Sequence, residues 1–400
     1  MRHAEIDSLT EQGKNYNYYG LMTKVNPENA EAKYARISTV VGSLLDGTYS
    51  TDTSGTIKIS DLQADLANVF TSSVKSYREL VFLVTIARID DGNFQATKSL
   101  YDCNPRALYE KAIRPQFLSR KIVCGQSPAL NIAKATEKIG PEWLAQRREK
   151  DVAQAVLRLV QIIEGVAGPD LAVIASEMAR MFVGLASSIE SHKYEGSSIT
   201  ELQSLSVLVR QLITRVPDGG NTAQRIVGLA LQSLHSESSN SVDGVEDSAS
   251  ATNATSKKPG DIAISDENGR VLMVFEVTTK TFGEQRIAEC SQSLDSYLSG
   301  SSEVVDSVTV LCLPENVPAE IRGDSSGGPV VIGSRNDGVF NYEFVELLSW
   351  IDAIIASMPA SGRQLFFSSL TSYINHFQTS DAVRLEFVRH IATNAEISKT

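Results

Sequence analysis

At residue 258 the spacing of apolar side chains changes from the period of a helix to that of a strand. Asp261-Ile262-Ala263-Ile264 reads as a short strand, Asp266-Glu267-Asn268-Gly269 as a hairpin turn, and Val271 to Thr279 as a long strand rich in Val, Phe and Thr. Phe282 to Leu298 has helical spacing, Ser307 to Leu313 reads as a third strand and Val330 to Ile332 as a fourth. Tyr342 to Met358, Gly362 to Phe377 and Asp381 to Ala392 read as helices. A mixed sheet enclosed by helices accommodates this order, so the second half of the chain is expected to be α/β.

The preceding residues carry helical stripes. Leu62, Leu66, Val69 and Phe70 form one, and Leu80, Phe82, Leu83 and Ile86 another. Val156, Leu159, Val160 and Ile163 form a third, and Ile174, Met178, Phe182 and Leu185 a fourth. Pro217-Asp218-Gly219-Gly220 is a turn signal, after which Asn221 caps a helix through Ile226, Leu229, Ala230 and Leu234. The expected division is a mainly helical region over 1–216 and a second region, holding the sheet, over 217–400. The latter contains a flexible loop at 236–256, rich in Ser, Asn and Asp, and a helical tail at 342–400.

Hydrophobic residues make up 42% of the 400 and charged residues 21%, which excludes a wholly disordered chain. The most apolar stretch, Val152 to Ile189, is interrupted by Arg158, Glu164, Asp170, Glu177 and Arg180, so no membrane span is expected. The first twenty residues are polar and carry Glu5, Asp7 and Glu11, and a cytoplasmic location is expected. The four cysteines, Cys103, Cys124, Cys290 and Cys312, form no CxxC pair, which argues against a zinc ribbon. The five histidines have no metal spacing. Gly323 to Pro329 looks like a serine-protease motif with an inserted Ser, and reads as a Gly-Ser loop between strands.

The net charge of −11 excludes a uniformly basic nucleic-acid coat, but residues 101–150 hold ten basic side chains against five acidic ones. Lys and Arg release counterions from DNA, so Arg106, Lys111, Arg114, Arg147 and Arg148 are candidate DNA contacts. The alternative is that they pair with Glu110, Glu137 and Glu149 and only stabilise helices.

The chemistry-bearing stretch is Lys258-Pro259-Gly260-Asp261 followed by Phe275-Glu276-Val277-Thr278-Thr279-Lys280. Strand alternation places Glu276, Thr278 and Lys280 on one face, and Phe275, Val277 and Thr279 on the other. If the two strands pair as a hairpin, Asp261 comes beside Glu276. Two carboxylates then offer hard oxygen ligands to Mg²⁺, which lowers the pKa of a bound water and neutralises charge on a phosphate. Lys280 would act as a fixed cation and Thr278 would hold a water.

This arrangement resembles the PD-(D/E)XK nuclease superfamily, in which an Asp is followed on the next strand by Glu-x-Lys. Here Thr278 stands where the usual lysine sits, and Lys280 lies two residues further on. The chain is also similar to the SacI-type restriction endonuclease family. That resemblance rests on Asn104-Pro105-Arg106-Ala107-Leu108, Ile113-Arg114-Pro115, Pro128-Ala129-Leu130-Asn131 and the Pro-Gly-Asp and Glu-Val-x-x-Lys strands. In that family the lysine also stands four residues after the Glu.

The resemblance implies a helical N-terminal domain and a PD-(D/E)XK-like catalytic domain with a mixed central sheet flanked by helices. It implies a Mg²⁺-dependent type II restriction endonuclease, a homodimer cutting a short palindrome in double-stranded DNA. A cognate DNA methyltransferase is expected in the same host. Asp261 and Glu276 would hold the metal, with Lys280 and Thr278 completing the catalytic set. Many such nucleases carry a further acid on the preceding helix, where this chain has Gln224. The displaced lysine motivates a second expectation, a non-catalytic DNA-binding protein derived from a nuclease fold.

Overall fold

The structure is a computed structural model describing residues 27–49, 55–125, 132–133, 136–166, 168–247, 258–299, 305–322 and 330–397. The chain divides into two compact units, residues 1–185 and 186–400.

The first unit is helical: α1 (Pro27–Leu45), α2 (Gln63–Thr71), α3 (Ser76–Asp90), α4 (Pro105–Leu108), α5 (Arg114–Ser119), α6 (Pro141–Ala145) and α7 (Lys150–Gly165), with most of α8 (Gly168–Ser191). Its core is aromatic. Phe182 meets Phe70, Phe82 and Phe117 at ring-centroid distances of 4.8, 5.3 and 4.6 Å. Such pairs add roughly 0.5–1.5 kcal/mol each beyond the area they bury. The expected apolar stripes of α2, α3 and α7 face this core. Between α4 and α5 the helix widens into a π-turn, Tyr109–Ile113. Pro115 has no N–H to offer the carbonyl four residues earlier, which loosens the ladder there. Among the described residues, α8 is the one helix long and apolar enough, by length and composition only, to cross a membrane. It nonetheless carries Asp170, Glu177 and Arg180, and it buries Ile174, Met178 and Phe182.

The second unit begins at Ala186, earlier than the expected boundary at 216, because α9 (Leu202–Arg215) packs with the helices that follow it around the sheet. Its sheet comprises β1 (Ser241–Asp243), β2 (Ile262–Ser265), β3 (Val271–Thr278), β4 (Ser307–Cys312), β5 (Val331–Asn336) and β6 (Asn341–Glu346). The strand order is β1-β2-β3-β4-β6-β5. β1, β2 and β3 are antiparallel neighbours, β4 is parallel to both β3 and β6, and β5 returns antiparallel to β6. β3 and β4 are joined through α11 (Glu284–Leu298).

Helices cover both faces. Phe275, Val277, Leu311 and Val345 pack with α10 (Asn221–Leu234), α12 (Leu347–Ser357), α13 (Ala360–Asn375) and α14 (Asp381–Ile397). Val274, Val310, Phe344 and Tyr342 pack with Phe282 and with Ile287 and Leu294 of α11. The molecule is therefore α/β, a helical N-terminal region followed by one mixed sheet with helices around it.

Two expected elements differ. Residues 342–346 form β6, not the start of a helix. Tyr342 and Phe344 are buried on one face, β6 pairs with β4, and the helix starts only where Glu346 caps Leu348 N at 3.0 Å and Ser349 N at 2.6 Å. Part of the expected loop at 236–256 is β1 and the turn after it, where Val245 packs onto Gly228 of α10. Residues 248–257 lie outside the described residues, as do Pro128 to Asn131 and Gly323 to Pro329.

Candidate active site

The β2–β3 register pairs Ile262 with Phe275, so the next residues outward are Asp261 and Glu276. Glu276 is a buried strand residue on the face covered by α11, only 1% exposed. Asp261 immediately precedes β2, and one oxygen, Oδ2, accepts the Val277 N–H at 3.0 Å. That backbone donor tethers the carboxylate where the β2–β3 ladder runs out. Two glycines let the chain come this close. A Cβ on Gly260 would lie 2.6 Å from Val274 Cγ1 and 3.0 Å from the Phe275 carbonyl. Gly244 has φ +89°, and a Cβ there would lie 2.0 Å from the Asp261 carbonyl oxygen.

Asp261 and Glu276 are hydrogen-bonded to each other. Burial pushes the Glu276 carboxyl well above the usual range, and the Asp261 charge beside it adds to the effect. Burial also raises Asp261, opposed by the Val277 N–H and by the Arg286 guanidinium. The shared hydrogen bond raises Glu276 and lowers Asp261. Two buried carboxylates this close cannot both ionise without a cation between or beside them.

α11 supplies two further groups. Arg286 Nη2 stands 3.6 Å from Glu276 Oε2, an ion pair longer than a hydrogen bond. Its guanidinium lies 5.6 Å from the Phe282 ring centroid, and Nη1 lies 3.9 Å from Glu289 Oε2. One turn further on, the Cys290 thiol hydrogen-bonds Glu276, and burial followed by the Glu276 charge pushes that thiol up. Neither residue was expected at the site. The signal was present in the helix that follows the Glu strand, where positions 286 and 290 are four apart and share one face.

Thr278 and Lys280 do not take the places expected of them. β3 ends at Thr278, whose hydroxyl accepts the Lys280 N–H at 3.0 Å and donates to the Lys280 carbonyl at 3.1 Å. This local bonding replaces strand pairing and turns the chain. The alternation that would have carried Lys280 onto the Glu276 face is lost, and Lys280 is exposed. The Thr278 hydroxyl is engaged by backbone rather than turned to a water. Lys258 is paired with Asp247. Gln224, on α10, donates to the carbonyls of Gly244 and Asp261, each at 3.4 Å, and its own Oε1 is buried without a donor.

No group of three or more His, Cys, Asp and Glu side chains suited to a metal ion occurs among the described residues. The donor chemistry at Asp261 and Glu276 nonetheless fits Mg²⁺. It consists of two carboxyl groups side by side, both hard oxygen donors once ionised, and Mg²⁺ is held by one or two carboxylates while it keeps several waters.

The basic segment divides by role. Arg147 donates to the Ile132 carbonyl and covers the Trp143 ring at 5.7 Å, and its Nε is buried. That makes it a structural residue, not a free DNA contact. Arg114 Nε donates to the Gly125 carbonyl at 3.3 Å, and Lys111 lies 5.7 Å from the Tyr34 ring centroid. Arg106 pairs with Glu110 at 3.1 Å on the surface, and Arg148 is exposed. Of the expected acidic partners only Glu110 takes up one of the five, while Glu149 accepts the Ser72 hydroxyl at 2.7 Å. The sequence matches no protein-family model and no curated protein.

Proposed function

We propose that the second unit is a Mg²⁺-dependent endonuclease domain that hydrolyses phosphodiester bonds in double-stranded DNA. The observation that carries this reading is the buried, hydrogen-bonded pair Asp261 and Glu276 on adjacent antiparallel segments of a helix-covered sheet. A bound Mg²⁺ would supply an activated water and neutralise charge on the scissile phosphate. Asp261 and Glu276 would hold that ion, the Val277 N–H fixes the orientation of Asp261, and α11 shields Glu276 from solvent. The likeness of the Pro-Gly-Asp and Glu-Val-x-x-Lys strands to the PD-(D/E)XK superfamily and its SacI-type family supports a cytoplasmic type II restriction enzyme. In that reading it acts as a homodimer on a short palindrome and is accompanied by a methyltransferase. Arg106, Lys111, Arg114 and Arg148 remain its candidate DNA contacts.

Incubation of the full chain with phage DNA and Mg²⁺ tests this. Discrete fragments support a site-specific enzyme, and a smear supports a nonspecific nuclease. Intact DNA, bound but uncut, overturns the catalytic reading in favour of a non-catalytic DNA-binding protein. The position of Lys280 beyond the end of β3 is the observation that favours that second reading.

A further inference from the structure

The residues around the carboxylate pair leave one role without the owner that the strand pattern suggested. A site that breaks a phosphodiester gains from a fixed cation beside its carboxylates, and Lys280 sits past the turn made by Thr278. Arg286 stands at the pair instead, and four features suit it to the role. Its guanidinium is 3.6 Å from Glu276 Oε2, so it shares the mouth of the buried pair. The guanidinium lies 5.6 Å from the Phe282 ring centroid and 3.9 Å from Glu289 Oε2, neighbours that narrow the rotamer freedom it would lose on meeting a ligand. The side chain is 48% exposed while Glu276 is 2% exposed, so one edge of the fork faces the acids and another faces outward. Finally, Arg286 lies in the first turn of α11, where the helix dipole disfavours a cation and favours an anion.

We infer that Arg286, not Lys280, contacts the scissile phosphate and stabilises the charge that grows on it. This rests on the nuclease reading above. A guanidinium fork matches two phosphate oxygens at once, which a lysine reaching in from beyond a turn cannot do. Arg286 is thus a catalytic residue and not a ligand of the metal. Its removal takes away a positive charge that competes with a metal ion for the carboxylates, and no oxygen donor.

The test compares Arg286→Ala, Arg286→Lys and Lys280→Ala with the parent in two measurements. One is the plasmid cleavage rate in Mg²⁺. The other is Mn²⁺ affinity by calorimetry in the absence of DNA. Arg286→Ala is expected to cleave about 100-fold or more slowly, as when one transition-state donor is removed. It should bind Mn²⁺ at least as tightly as the parent. Arg286→Lys should recover part of the rate, and Lys280→Ala should cleave at close to the parent rate. Should Arg286→Ala unfold, the neutral polar Arg286→Gln takes its place. Near-parental cleavage by the Arg286 variants overturns the inference alone. Loss of Mn²⁺ binding in a folded Arg286→Ala also overturns it, because Arg286 would then act by positioning Glu276. A parent that binds DNA and never cuts it overturns the inference together with the reading beneath it.

Discussion

The carboxylate of Asp261 accepts the backbone N–H of Val277 at 3.0 Å, so one side chain both ends the β2–β3 ladder and presents an acid to Glu276. The two duties can be separated by substitution. Asp261→Asn keeps an oxygen for the Val277 N–H and should retain stability while losing cleavage. Asp261→Ala leaves that N–H unpaired, which costs about 1–3 kcal/mol in addition to the loss of cleavage. Urea unfolding and plasmid cleavage on the same preparations separate the effects. DNA affinity should survive in both, because it comes from cations.

Glu276 makes folding sensitive to pH in a defined direction. Its folded-state pKa lies well above the unfolded value, so between the two the folded chain binds more protons than the unfolded one. Its contribution is therefore fully present below the ordinary glutamate pKa and is lost as pH rises through the folded value. Glu276→Gln removes the group that must ionise. Relative to the parent, this variant should gain stability steadily as pH increases above the ordinary glutamate range, in buffers free of divalent metal. Thermal unfolding across that range checks the slope, and a difference that shrinks with rising pH would contradict the assignment.

Gly260 is where backbone approach limits the site. Gly260→Ala drives a Cβ into Val274 Cγ1 and the Phe275 carbonyl, contacts that the two strands cannot relieve without moving apart. Overpacking of this kind costs roughly 1–3 kcal/mol. The displacement falls on the residue next to Asp261, so cleavage should drop more steeply than the melting temperature. Equal losses in the two would point to general unfolding instead.

Arg147 and Arg148 are adjacent in sequence and opposite in expected behaviour. Arg147→Glu loses the bond to the Ile132 carbonyl and the cover over Trp143, and should lower the melting temperature. Arg148→Glu should leave the melting temperature nearly unchanged. It should weaken DNA binding and reduce the salt slope by roughly one. Fluorescence anisotropy over a salt series checks both.

The hairpin that carries the acids was legible because its signals are local: strand alternation, a tight turn, and an acid on each strand. The helix α11 was legible too. What it contributes was not, because Arg286 and Cys290 approach Glu276 only after a crossover, and a single sequence gives no register between a helix and a sheet. Lys280 was misplaced for a different reason. Alternation assumes that the strand continues, and the Thr278 hydroxyl ended it with two bonds to one residue. β6 was hidden by its neighbour, since the apolar residues Tyr342, Phe344 and Val345 run on into Leu347 and Leu348 of α12 and only the cap at Glu346 marks the change. The role of Arg147 was illegible because its hydrogen-bond partner, the Ile132 carbonyl, is brought beside it only by folding, although the Trp143 ring lies just four residues away.

The placement of β3 between an antiparallel and a parallel neighbour also sets an order of events in folding. β2 and β3 are joined by a tight turn, and closing so short a loop costs little chain entropy and takes microseconds. β3 can meet β4 only after the intervening helix has been laid across the sheet, a slower step. Asp261 and Glu276 are thus brought together early, while water still screens them. Keeping both acids ionised becomes costly only when α11 closes over Glu276, so on the nuclease reading the last stage of assembly is the one that divalent metal in the refolding buffer should accelerate most.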